Sequence, residues 1–89
     1  MRKIQDEKMK NFAKKTLKES LSIAKNLDEA TQLIGQRFEK RVDGADWTIF
    51  MHQYAKQKTK KWNLKHFANY YIDMSIGDIG CRVWTNDAV

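Results

Sequence analysis

The sequence predicts an α+β domain in which two N-terminal helices pack on an antiparallel β-sheet built from the second half of the chain. Three observations carry this. Apolar residues recur at three- and four-residue spacing as far as Phe38, and that pattern breaks at Val42-Asp43-Gly44-Ala45-Asp46. Beyond the break, two aromatic and β-branched runs, His66–Met74 and Ile79–Trp84, stand on either side of Gly77.

The first helix is expected from Asp6 to about Ala24. Met9, Phe12, Ala13, Leu17, Ser20, Ile23 and Ala24 form its apolar stripe, and Lys8, Lys10, Lys14, Lys15 and Lys18 fall on the remaining surface. Asp6 and Glu7 occupy the first turn, where negative charge suits the positive end of the helix dipole. Asn26, with Glu29 three residues on, forms a capping-box pattern, so a second helix should begin at Leu27. Its stripe is Leu27, Ala30, Leu33, Ile34 and Phe38. Gly35 lies inside it, where glycine costs about 1 kcal/mol relative to alanine. Solvent exposure at a tolerant site is the simpler reading, and close approach of another backbone is the alternative. Gly44 suits a positive φ where the helix ends.

Trp47–Met51 reads as a strand with Trp47, Ile49 and Met51 on one face and Phe50 on the other. That composition fits a sheet buried on both sides or one lying at an oligomer interface. Tyr54–Lys61 carries four lysines and no acid, as a loop or a lysine-protected edge strand would. His66–Met74 then supplies a core strand, Ser75–Asp78 a turn, and Ile79–Trp84 the last strand. No internal repeat or low-complexity segment is present.

A chain of 89 residues is read as a single domain, 1–89, with a core that is sufficient but small. A hydrophobic fraction of 42% argues for a folded globule despite 31% charged residues. No run of eighteen apolar residues occurs, and the first residues lead into a charged helix, so an intracellular protein with no membrane span is expected. One cysteine, Cys81, and two histidines, His52 and His66, provide neither an internal disulfide nor a zinc ligand set, and no metal or cofactor is expected. No phosphate-binding glycine loop or nucleophile elbow appears. His52 or His66 as general base with Ser75 or Cys81 as nucleophile is a combination that any chain of this length offers. A loop histidine, a strand-start histidine and a packed thiol account for the same residues, so no catalytic residue is assigned.

The net charge of +6 attracts nucleic acid, acidic proteins or lipid headgroups alike. Lys56, Lys58 and Lys60 would share one side of a strand, with Tyr54 and Trp62 as stacking platforms, the composition of a single-stranded nucleic-acid binder. Arginine, the preferred base reader, is missing from that segment, and a solvated, lysine-protected edge strand is the favoured account of the same residues. The lysines of the first helix would suit acidic lipid, but the solvated side of an amphipathic helix explains them more simply.

Taken together, the order of elements and several residues resemble the dynein light chains of the eight-kilodalton type. Ala30, Ile34 and Phe38-Glu39-Lys40-Arg41 are similar to that family's second helix and its Phe-Asp-Lys-Lys ending. His66-Phe67 and Tyr70-Tyr71-Ile72 are similar to its His-Phe-Ile-Tyr-Phe-Tyr-Leu strand, and Cys81-Arg82-Val83-Trp84 resembles the Cys-Val-Trp ending of an axonemal branch. The resemblance implies a non-catalytic module in which a strand is exchanged across a dimer and a partner peptide adds to the sheet edge. By the resemblance, the peptide-binding strand falls on Tyr54, Ala55, Lys56, Gln57, Lys58 and Thr59. The aromatic start and the threonine of the family's Phe-Gly-Ser-Tyr-Val-Thr-His stretch are kept there, while its glycine, central tyrosine and histidine are replaced. The implied partners are a dynein intermediate chain or another client peptide, acidic in view of the lysines, with a homodimer or heterodimer as the binding form. The implied setting is the cytoplasm and cytoskeleton, including the axoneme. The alternative from another class is a small basic nucleic-acid-binding protein.

Overall fold

The computed structural model describes residues 5–53 and 68–89. Two helices, α1 (Asp6–Ile23) and α2 (Leu27–Arg41), precede three strands, β1 (Thr48–Gln53), β2 (Tyr70–Ile76) and β3 (Ile79–Thr85). The strands form one antiparallel sheet in the order β1-β3-β2, so the architecture is α+β.

Local sequence sets the ends of these elements. Asn26 Oδ1 accepts a hydrogen bond from Glu29 N at 2.8 Å, which satisfies one open donor at the start of α2. Asp28 and Glu29 sit in its first turn and Lys40 and Arg41 in its last, each matched to the dipole. Gly44 has φ +86°, and Gly77, with φ +58°, opens the two-residue connection that pairs Ile76 with Ile79. Both glycines hold backbone conformations that other residues adopt at a cost.

Alternation along the strands gives the sheet an inner face that meets the helices. Ile49, Val83 and Ile72 form one rung across it, and Met51, Cys81 and Met74 form the next. Met9, Ala13 and Leu17 of α1 and Ile34 and Phe38 of α2 pack against these residues. Phe38 stands at the centre: its ring lies 5.2 Å from Phe12 and 5.1 Å from Trp47, and Trp47 in turn meets Tyr70 edge-on at 6.4 Å. Tyr70 Oη donates to Asp6 Oδ1 at 2.7 Å, joining the start of β2 to the start of α1. The two helices are further tied by Arg37 Nη1 and Glu19 Oε2 at 2.5 Å and by the Arg41 guanidinium over the Phe12 ring.

Several expectations change. Ile23, placed on the α1 stripe by its spacing, is 60% exposed, whereas Thr16 is buried in that helix. Trp47 is buried in the core just ahead of β1, and β1 runs on to Gln53, so His52 is a strand residue rather than a loop residue. A Cβ on Gly35 would lie 3.3 Å from Ile49 Cδ1, so this glycine marks a close approach of α2 to the side chains of β1, not a tolerant exposed site. The strand expected at His66–Met74 is observed as Tyr70–Ile76. It lies at one side of the described sheet, and β3 holds the centre. His66, Phe67 and the lysine-rich stretch Tyr54–Lys61 lie outside the described residues.

Two substitutions separate core from cap. Phe38→Ala should lower the unfolding free energy by about 3–5 kcal/mol, since a central aromatic is deleted. Asn26→Ala should lower it by about 1 kcal/mol, and Asn26→Asp should retain most of the stability. Urea denaturation followed by tryptophan fluorescence measures both. Equal losses for the two alanine variants would contradict the packing hierarchy.

Candidate partner-binding edges of the sheet

The outer face of the sheet carries Thr48, Phe50 and His52 from β1, Gly80, Arg82 and Trp84 from β3, and Tyr71, Asp73 and Ser75 from β2. Phe50 is 38% exposed, and its ring stacks on His52 at 5.7 Å with 28° between the planes. The His52 imidazole lies over Gly80, where any Cβ would overlap it, so glycine in the central strand is what admits the ring. Arg82 is only 9% exposed, and its Nε is 3.7 Å from Asp73 Oδ2 across the strand pair. Asp73 is more than half exposed, which limits the pair to a small contribution.

The two combinations that use His52 as base, with Cys81 or with Ser75, are not assembled. Cys81 faces the core, and burial followed by the negative charge of Asp73 pushes its thiol up from 9.0 to about 12. It therefore stays protonated near neutrality, and the sheet separates it from His52 on the opposite face. His52 and Ser75 flank Gly80 on one rung, so their backbones stand two strand spacings apart, about 10 Å. His66 lies outside the described residues. Among the described residues, no group of three or more His, Cys, Asp or Glu side chains could hold a metal ion, and no helix is long and apolar enough to cross a membrane.

Tyr54, Ala55, Lys56, Gln57, Lys58 and Thr59, the peptide-binding residues implied by the resemblance, also lie outside the described residues. They follow directly on β1, which pairs with β3 on one side and with no other strand among the described residues. At the opposite side of the sheet, β2 likewise pairs with β3 alone among them. Between that edge and α1 run two adjoining depressions of about 540 and 460 Å³ that share Lys14, Asp73 and Met74. Lys10, Lys14 and Lys18 wall the groove from the helix side. In the sequence these lysines read as the solvated side of a helix, with acidic lipid as the less simple alternative. Their four-residue spacing was the available signal, but it identifies a wall only once the strand opposite is known.

Comparison with protein-family models, curated proteins and solved structures finds no match to this chain.

The Cys81 thiol gives a direct check on this face assignment. Its pKa is raised in the folded state, so folding favours the protonated form, and stability should fall as pH rises from about 9, where the unfolded thiol ionises, toward about 12. Cys81→Ala should remove that part of the alkaline loss. At pH 8, alkylation by iodoacetamide should be far slower in the native protein than in denaturant. Equal rates would place the thiol at the surface.

Proposed function

We propose that this protein is a non-catalytic interaction module of the dynein-light-chain kind, which binds a partner peptide or subunit by β-strand addition within a dynein or other cytoskeletal assembly. The observation that carries the reading is the position of β1. It has a strand neighbour on one side among the described residues, and the chain passes straight from it into Tyr54–Thr59. Two helices covering one face of an antiparallel sheet agree with the architecture that the sequence resemblance implies. In strand addition, backbone hydrogen bonds supply affinity and alternate side chains supply selectivity. Lys56, Lys58 and Lys60 then favour an acidic client.

The reading requires a dimer if the added strand is shared between two copies. Light scattering should give twice the 10.5 kDa chain mass, and a monomer at all concentrations would argue for a structural subunit instead. Changing Lys56, Lys58 and Lys60 together to glutamate should weaken binding of an acidic dynein intermediate-chain peptide by about tenfold or more. Unchanged binding would remove that segment from the site.

The Phe50–His52 stack, on the same sheet face as Tyr71 and Trp84, favours a second reading as a small basic nucleic-acid-binding protein. Affinity for a random single-stranded oligonucleotide should then fall steeply with rising salt. Absence of binding at low salt would eliminate it.

A further inference from the structure

We infer that the groove between α1 and the edge of β2 is a second binding site, separate from the β1 edge, that takes an extended segment of a partner protein with acidic residues at alternate positions. The occupant lies beside β2 as an added strand.

The groove combines three features that such a segment needs. Its strand wall is β2, whose outer edge is unpaired among the described residues, and a strand edge is a template for a further strand. Its floor is apolar, with Ile72, Met74 and Leu17 buried beneath it. Its helix wall carries Lys10, Lys14 and Lys18, which follow one another along the groove as β2 runs from Tyr70 to Ile76.

Charge decides the chemistry of the occupant. Asp6 lines one end, but its two carboxylate oxygens are taken by Tyr70 Oη at 2.7 Å and Lys10 Nζ at 3.1 Å. Asp73 belongs to the outer face, where it lies beside Arg82. Lys14 and Lys18 are exposed and have no ion-pair partner among the described residues, so the helix wall offers positive charge. Spacing adds the pattern. Residues four apart on a helix rise about 6 Å, and residues two apart on a strand span about 6.8 Å. Every second side chain of an added strand points to the helix side, so acids at alternate positions meet Lys14 and Lys18 in turn. The intervening side chains point toward the Asp73 side, where a further acid would be repelled.

Other occupants fit less well. The first residues of this chain carry Arg2 and Lys3, the same sign as the wall. A second copy docked by the same edge would bring two lysine rows together.

The test uses the full chain and three fluorescein-labelled peptides of about eight residues. In the first, glutamate alternates with valine and threonine. The second has the same composition with its glutamates grouped at one end, and the third is the first with alternate amides N-methylated. The alternating peptide should bind about tenfold more tightly than either control. Its binding should weaken by about tenfold or more in Lys14→Glu/Lys18→Glu, two exposed positions whose change leaves the fold intact by circular dichroism. Amide NMR shifts on titration should centre on Tyr70–Ile76. Equal binding of the three peptides would reveal unspecific charge attraction and overturn the inference. So would shifts centred on Thr48–Gln53, which would support the β1 edge instead. Failure of the alternating peptide to bind at about 1 mM also overturns it. Because Lys56, Lys58 and Lys60 are untouched in this variant, the two sites fail independently.

Discussion

The burial of Phe38 is the interaction on which the rest of the structure depends. Its ring touches Phe12 of the other helix and Trp47 at the entry to β1, and through Trp47 it reaches Tyr70 at the start of β2. Four segments far apart in sequence thus meet through aromatic edges, which hold a defined geometry as well as burying large apolar areas. In a chain of 89 residues, where the core is small, few other residues can serve this purpose. The alignment of α1 beside β2 follows from it, and so does the groove between them.

Much of the fold was legible because local chemistry fixed it. The acids at the start of α1, the Asn26 cap and the glycine between the last two strands all act within a few residues of themselves. What was not legible depended on a neighbour distant in sequence. Spacing places Ile23 on an apolar face but cannot say whether anything packs opposite it. Gly35 reads as incidental until Ile49 is found against it. Strand composition marked Tyr70-Tyr71-Ile72 as part of a core strand but gave no strand order, and the centre of the described sheet belongs to β3, which contains a glycine, a cysteine and an arginine. Strand order is set by which backbone pairs with which, and side-chain propensity reports that poorly. Of the implied site, Tyr54–Thr59, the sequence supplied composition alone.

The two faces of the sheet divide the chemistry. The inner face takes the apolar side chains and Cys81, whose thiol is held neutral there. The outer face mixes aromatic rings with Arg82 and Asp73. Lysines lie off the described sheet, on α1 beside one edge and in the sequence that follows β1. Beside β2 the helix lysines stand along a strand edge, where backbone groups and charge can act on the same ligand.

The strand order has a consequence for how the molecule is made. Among the described residues, β1 and β2 are joined in the sheet through β3, the last of the three to be synthesised. As the chain emerges, the helices and the first two strands are present before β3, the strand with which both pair, so this part of the sheet closes when β3 inserts between them. Until that insertion, two apolar strand faces and their edges stand open, and the nascent protein is at its most adhesive just before it is finished folding.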